Sequence, residues 1–363
     1  LSFAPKLTKS INLMAQLDIE QPAALVEYLR QQQRIGGTET PRITVLAGGV
    51  SNRTVLVERE HGEAWVLKQA LTKLRVPVDW FSDPERVHRE ALGLHWLSTL
   101  TPPGVIPGLI FEDHTHHLLA MAAVPQPHVN WKTLLLSGQL DLAYVTQFAT
   151  LLATIHTQAA CRQIALAPIF ADRTFFESLR LEPYYQYTAS QVPAAQAFLT
   201  QLVAATRERT YTLVHGDYSP KNTLVYQNRL VLLDYEVIHW GDPAFDLGFA
   251  LTHLLSKAHH LAAHRIQFAQ AAHHYWQTYQ QVSQQLTGGV TAAWQTAIET
   301  YAVRHTLACL LARVAGRSPL EYLTAPARTH QAQAVVALMR QPPTSVPALI
   351  DGFINGLGLG SSF

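Results

Sequence analysis

Residues 214–246 limit what this chain can fold into more than any other stretch. Val-His-Gly-Asp-Tyr-Ser-Pro-Lys-Asn, residues 214–222, reads as a turn-rich loop, with Leu213-Val214 before it and Thr223-Leu224-Val225-Tyr226 after it as short strands. A further strand, Leu230-Val231-Leu232-Leu233, then delivers Asp234. A loop holding a carboxylate and a carboxamide, followed by a strand that ends in a second carboxylate, is a pattern that phosphoryl transfer with magnesium requires. Asp217 can accept the proton of an attacking hydroxyl, and Asn222 and Asp234 offer hard oxygen ligands to a metal on nucleotide phosphates. Read singly, Asp217, Asn222 and Asp242 are also residues that turns favour.

The set resembles the aminoglycoside phosphotransferase and choline kinase group of small-molecule kinases. The catalytic loop of that group reads His-Gly-Asp, four variable residues, Asn, matched here by His215-Gly216-Asp217 and Asn222. Its magnesium strand ends Asp-x-Glu, as Asp234-Tyr235-Glu236 does. Gly241-Asp242-Pro243-Ala244-Phe245-Asp246-Leu247 is similar to its Gly-Asp-Pro-x-x-Asp-Leu segment, whose second Asp braces the catalytic loop. The resemblance implies an α+β, bilobal protein-kinase-like fold with a small antiparallel-sheet N-lobe and a larger, mostly helical C-lobe. It also implies Asp217 as the catalytic base, Asn222, Asp234 and Glu236 as the metal group, and His215 and Asp246 as braces of the loop. Glu236 reads equally as a supporting group or as a polar residue leaving the strand.

Such a fold requires a sheet with a glycine hairpin, a lysine and a helix glutamate upstream of the loop, and residues 42–90 supply them in that order. Ile43-Thr44-Val45-Leu46 reads as a strand, residues 47–52 as a hairpin containing Gly48, Gly49, Ser51 and Asn52, and Thr54-Val55-Leu56-Val57 as its return. A third strand, Trp65-Val66-Leu67-Lys68, presents Lys68 where the kinase arrangement pairs a lysine with nucleotide phosphates. Residues 83–100 have helical spacing, with Asp83 as N-cap, Pro84 at the first position and Glu90 mid-helix, where it resembles the glutamate that holds that lysine. Ser51 and Asn52 serve either a phosphate or only the turn. No Gly-x-x-x-x-Gly-Lys-Ser/Thr stretch exists, so a Walker-type site is not supported.

Composition narrows the class. The 363 residues are 48% hydrophobic with a formal net charge of +1 and no long charged run, so neither nucleic acid nor an anionic membrane is an expected partner. Residues 1–21 lack the basic start and apolar block of a signal peptide, and no run approaches the length of a membrane span. Cys161 and Cys309, in apolar helical stretches, read as two buried thiols. Together these point to a cytoplasmic enzyme. With no initiator methionine, the sequence is expected to be trimmed or processed.

Along the chain, residues 1–123 form the nucleotide-binding lobe with a leading helical segment, 124–130 a hinge stiffened by Pro125 and Pro127, and 131–363 the helical lobe with catalytic loop and acceptor pocket. A helix of apolar spacing begins at Leu142 and is expected to end at His156-Thr157-Gln158. Further helices are expected over 194–209, 244–256, 258–286, 291–315 and 328–339. Of the 18 histidines, His114, His116 and His117 fall in a hairpin turn, and His260 and His264 share a helix face. No His-Glu-x-x-His pattern is present, and these read as polar surface rather than zinc ligands.

The expected activity is an ATP- and Mg2+-dependent transfer of the terminal phosphate to a hydroxyl of a small molecule: a sugar, an amino alcohol or an aminoglycoside-like compound. A nucleotide-binding module without turnover and a protein kinase are the alternatives. Ser219 stands where protein kinases carry a lysine two residues after the catalytic Asp, which disfavours the latter. Trp240, Tyr301 and Tyr322 are candidates for an aromatic cage around a quaternary amine. Of Arg304 and Arg313, nine apart on one helix, at most one faces the cleft. Oligomeric state is not legible.

Overall fold

Alternation along the third strand of the sheet separates the two faces of the small lobe. In this computed structural model, which describes residues 17–46, 49, 51–75, 79–288 and 293–358, helix α1 (Pro22–Gln31) is followed by β1 (Arg42–Val45), β2 (Asn52–Glu58) and β3 (Ala64–Ala70). Helix α2 (Arg86–Leu100) precedes β4 (Leu109–Asp113) and β5 (Leu118–Ala122), and the five strands form an antiparallel sheet in the order β1-β2-β3-β5-β4. Successive side chains on a strand point to opposite faces. Trp65 and Leu67 therefore join Val55, Val57, Leu118 and Ala120 under the Leu25, Tyr28 and Leu29 face of α1. Val66 and Lys68 emerge on the other side, where Leu119 and Met121 meet Val87, Ala91, Leu94 and Leu97 of α2.

Beyond the five-stranded sheet, β6 (Val129–Asn130) pairs with β8 (Thr223–Tyr226), itself paired with β9 (Arg229–Leu232). A second ribbon joins β7 (Thr212–Val214) to β10 (His239–Gly241), Val214 lying opposite His239. Around these ribbons pack α3 (Leu142–Cys161), α4 (Gln196–Glu208), α5 (Ala244–His260), α6 (Arg265–Leu286), α7 (Ile298–Ala315), α8 (Ala325–Arg340) and α9 (Val346–Gly358). Nearly every residue of α5 is buried, between α6 and α7. No helix among the described residues is long and apolar enough to cross a membrane.

Several boundaries differ from the sequence expectation. Helix α2 starts at Arg86, and Asp83 instead accepts from the Glu85 N–H in the preceding turn, at 3.0 Å. Helix α3 runs past His156 to Cys161, because His156 is buried and bonded inside the core rather than solvated. The expected 258–286 helix breaks at Leu261, so His260 closes α5 and His264 precedes α6, and the two share no helix face. Cys161 is exposed at the end of α3, whereas Cys309 is buried. The α9 helix was not expected, although Val346, Leu349, Ile350, Phe353 and Leu357 bury one face at helical spacing.

Candidate active site

Gly216 has φ +79°, a conformation that costs a residue with a Cβ, and a Cβ there would stand 2.8 Å from Val237 Cγ2. The turn it permits aims two consecutive backbone N–H groups, those of His215 and Gly216, at the Asp246 carboxylate, at 2.7 and 2.8 Å. Asp246 lies in the first turn of α5, where the helix dipole favours an anion. It is fully buried, and His156 on α3 holds it from behind at 3.3 Å. Burial pushes the Asp246 carboxyl up, but the His156 bond and the Gly216 N–H help to bring it below its ordinary value.

His215 completes the brace. Its Nδ1 accepts the Asp217 N–H at 3.1 Å, which leaves the proton on Nε2, 3.2 Å from the Leu233 carbonyl. The ring therefore ties the loop after β7 to the loop after β9. Burial lowers its pKa, so it stays neutral.

Asp217 emerges from this brace into a cleft of about 510 Å³. Its Oδ2 accepts from Asn222 Nδ2 at 2.7 Å and lies 3.1 Å from Arg180 Nη2, whose Nε also donates to the Gly216 carbonyl at 2.8 Å. With both partners on Oδ2, Oδ1 is the oxygen left to face the cleft. The Leu233 N–H donates to the Asn222 carbonyl at 2.9 Å, setting Asn222 and Asp234 side by side. Strand β9 ends at Leu232, two residues short of Asp234, which adopts φ +72° in the following loop. A left-handed Asp is uncommon and is often found where a site over-determines the backbone.

Across the cleft, Lys68 Nζ lies 2.6 Å from Glu90 Oε1 and 3.2 Å from Asp234 Oδ1. Burial alone would lower the Lys68 pKa, but the Asp234 and Glu90 carboxylates outweigh it and hold the ammonium protonated. Burial likewise opposes ionisation of Asp234, and Lys68 with Lys221 brings its carboxyl down to about 2. Glu90 is fully buried behind the lysine, and burial pushes its carboxyl upward. Glu236 meets Arg86 Nε of α2 at 3.3 Å and Asn52 Nδ2 at 3.5 Å. Gly49, Ser51 and Asn52 line the cleft, and Arg86 also bonds the Ser51 carbonyl. Gly48 lies outside the described residues.

At the far end the cleft is lined by Lys132, His253, Arg313 and Arg317, with Glu321 paired to Lys132. Arg313 is held by the Ser318 hydroxyl at 2.9 Å and Tyr184 at 3.1 Å. Arg304 instead covers Phe198 at 4.7 Å, so of the two arginines on α7 only Arg313 faces the cleft. Trp240, Tyr301 and Tyr322 do not form a cage. Trp240 is buried in β10, Tyr301 lies under the Arg209 guanidinium at 3.8 Å, and Tyr322 packs beside His260.

Asp217, Asn222, Asp234, Glu236 and Lys68 thus share one cleft, with Glu90, His215 and Asp246 buried behind it. A profile of the APH phosphotransferase enzyme family matches residues 42–286, from β1 to the end of α6. The chain belongs to this family.

Among relatives of this phosphotransferase-family chain, methylthioribose kinase 2 of Oryza sativa subsp. japonica is 24% identical over 265 residues, covering 64% of this chain and 62% of that protein. The chain therefore spans less than two-thirds of the length of that relative. The fold is shared with choline kinase from Cryptosporidium parvum Iowa II, at TM-score 0.52, 12% identity, and 92% and 100% of the two chains. It is also shared with amicoumacin kinase in complex with AMP-PNP, Ca2+ and Ami, at TM-score 0.53, 15% identity, and 84% and 89% coverage. The bilobal kinase-like architecture is that of this family.

Sequence reasoning missed two groups that the family fold brings to the site. Arg180 comes from a π-helical stretch, Glu177–Gln186, whose spacing matches neither an α-helix nor a strand, so periodicity gave no signal. His156 was masked by its polarity, although the apolar spacing of α3 continues beyond it through Ala159.

Proposed function

We propose that the chain is an ATP- and Mg2+-dependent kinase for a small polyhydroxylated molecule, with residues 1–123 and 131–363 as its lobes and 124–130 as the hinge. The observation that carries this reading is the convergence of Asp217, Asn222, Asp234 and Lys68 on one cleft, with Lys68 3.2 Å from Asp234 and Asn222 2.7 Å from Asp217. Asp217 Oδ1 is the group that takes the proton of the acceptor hydroxyl as that oxygen attacks the terminal phosphorus. Arg180 and Asn222, both on Oδ2, fix the carboxylate plane so that Oδ1 keeps one orientation. Lys68, held by Glu90, binds phosphate oxygens, and Gly49, Ser51 and Asn52 close over them.

The residues present fit a magnesium ion. Asn222 commits its amide nitrogen to Asp217, which leaves its oxygen for a cation, and Asp234 is ionised at all ordinary pH. Hard oxygens of this kind suit Mg2+, and Glu236 adds a third, anchored by Arg86. When bound, the ion neutralises charge on the phosphates.

The far end of the cleft supports an acceptor that is neutral and hydroxyl-rich. Lys132 and Arg317 are paired with Glu321 and Glu182, whereas Arg313 bonds hydroxyl and carbonyl groups and keeps its charge for the cleft, which disfavours a polycation and gives strong hydrogen bonds to sugar hydroxyls. The three aromatics that would cage a quaternary amine lie apart.

The test is ATP consumption with Mg2+ across sugars, including methylthioribose, amino alcohols, aminoglycosides and macrolides, beside Asp217→Asn. One sugar-like acceptor should be turned over, and the substitution should lower kcat by about 10²–10⁴-fold. Turnover that survives Asp217→Asn removes the assigned base. ATP binding without acceptor-stimulated turnover puts a nucleotide-binding module in place of the kinase.

A further inference from the structure

Outside the cleft, the first turn of α2 and the β4–β5 hairpin bring three histidines and two glutamates together. His88 Nδ1 donates to the Glu112 carboxylate at 2.8 Å, and the His114 ring stacks on it with centroids 3.7 Å apart. His117, in the hairpin turn with φ +47°, points its Nδ1 to within 3.5 Å of Glu85 Oε1. One ligand atom each from Glu85, His88 and His117 lies within 4.8 Å of the others. The His88 side chain is only 9% exposed, and its Nε2, like His117 Nδ1, is buried without a hydrogen-bond partner. Two buried imidazole nitrogens left open beside a carboxylate are costly unless something accepts their lone pairs.

We propose that Glu85, His88 and His117 form a binding site for a divalent transition ion of the zinc class, with Glu112 as the carboxylate that orients His88. Imidazole nitrogen and carboxylate oxygen are ligands for zinc, and tetrahedral bonds of about 2.0–2.1 Å place ligand atoms roughly 3.3 Å apart. The 3.5 Å separation of His117 and Glu85 already matches that spacing. The wider gaps close by rotation of the Glu85 and His117 side chains, which are 54% and 30% exposed. Glu112 on Nδ1 fixes the His88 ring and leaves Nε2 for the ion, as a carboxylate commonly does behind a ligating histidine. Glu85 and Glu112 make the pocket anionic, and Arg89, next to His88 in α2, is paired with Asp172 at 3.0 Å. None of these residues lines the phosphotransfer cleft. The site is therefore independent of the acceptor and of the proposed reaction. An ion there would tie the start of α2, the helix carrying Glu90, to the β4–β5 hairpin.

The experiment is titration of the EDTA-stripped full chain with Zn2+ by calorimetry, and with Co2+ by its visible absorption, for the native chain, His88→Gln, His117→Gln and His95→Gln. His95 is exposed on the same helix outside the cluster and controls for adventitious binding by the other histidines. The expected result is one tight equivalent that weakens at least tenfold in both cluster variants, persists in His95→Gln, and raises the native melting temperature by a few °C. Circular dichroism of the metal-free variants shows whether they fold, and His117, being partly exposed, stands in should His88→Gln fail. The proposal is overturned by no tight equivalent, or by one that His117→Gln and His88→Gln leave unchanged.

Discussion

On the wall of the cleft built by the loop after β7, backbone N–H groups of His215 and Gly216 end on a single buried carboxylate, Asp246, which His156 holds in turn. On the opposite wall Lys68, Glu90 and Arg86 reach Asp234 and Glu236 through side chains alone, and atoms are left over. Glu90 Oε2 and Asn52 Oδ1 are buried without a hydrogen-bond partner among the described residues. The first wall is complete without a ligand. The second is a set of charges whose hydrogen-bonding capacity is only partly used, as the proposed closing on phosphate requires. The difference predicts that damage to the first wall appears in stability and turnover together, and damage to the second in nucleotide binding.

The largest effect is expected from Asp246→Ala. It strands two buried backbone donors and His156, each unsatisfied group costing about 1–3 kcal/mol, so a loss of roughly 3–5 kcal/mol is expected. Chemical denaturation should show it, and kcat should fall with it because Asp217 rides on the same turn. A variant that loses turnover while its denaturation midpoint stays put would break the link between brace and chemistry.

Acid separates the walls next. His239, paired in register with Val214 behind the loop, has a pKa that burial lowers to about 4 from 6.5. Below pH 6.5 the unfolded chain takes up a proton that the folded one refuses until about pH 4. Stability is therefore lost as pH falls through that window, by about 3 kcal/mol in all. Melting temperature against pH should be flatter in His239→Gln over pH 4–6.5. An unchanged slope would show that the ring is not held neutral behind the β7–β10 ribbon.

Glu90→Gln tests the second wall. The 2.6 Å charge-assisted bond to Lys68 is worth about 1.5–3 kcal/mol, so KM for ATP should rise roughly ten- to a hundredfold with kcat and melting temperature changed much less. A fall in kcat at constant KM would place Glu90 with the first wall instead.

Much of this was legible because the constraint is local. Asp217, Asn222 and Asp234 sit in turns between short apolar strands, and the period of two along Trp65-Val66-Leu67-Lys68 already put Lys68 on the face opposite Trp65. What the sequence hid was long-range. Arg180 reaches Asp217 from a π-helical stretch with no usable period, and His156 looked like a helix end because its partners, Tyr279 and Asp246, lie 123 and 90 residues away. Asp83 and Pro84 have the composition of a helix start, and Asp83 does accept the Glu85 N–H as a capping side chain would, but the chain first makes a tighter turn, closed by the Arg86 and Val87 N–H groups on the Asp83 and Pro84 carbonyls, and the regular helix begins at Arg86. The aromatic cage failed for a related reason: residue type does not reveal that an arginine already covers Tyr301.

The smallest effect is expected where the two walls touch. Gly93 on α2 faces Tyr235, the residue between Asp234 and Glu236, and a Cβ at position 93 would stand 2.7 Å from Tyr235 Cβ and 3.3 Å from Ile238 Cγ2. Gly93→Ala gains up to about 1 kcal/mol of helix propensity but forces a packed backbone apart, at a cost of about 1–3 kcal/mol. A net loss of about 1–2 kcal/mol is expected. Tyr235 cannot retreat freely, since its hydroxyl bonds the Leu232 carbonyl within the core. The displacement therefore falls on α2 or on the Asp234 loop, and either moves Lys68, Glu90 and Asp234 relative to one another. KM for ATP and kcat should worsen together, unlike Glu90→Gln, which acts mainly on KM. If Gly93→Ala changes melting temperature but neither kinetic constant, the walls meet at Tyr235 without sharing their geometry, and the contrast between them becomes a complete separation.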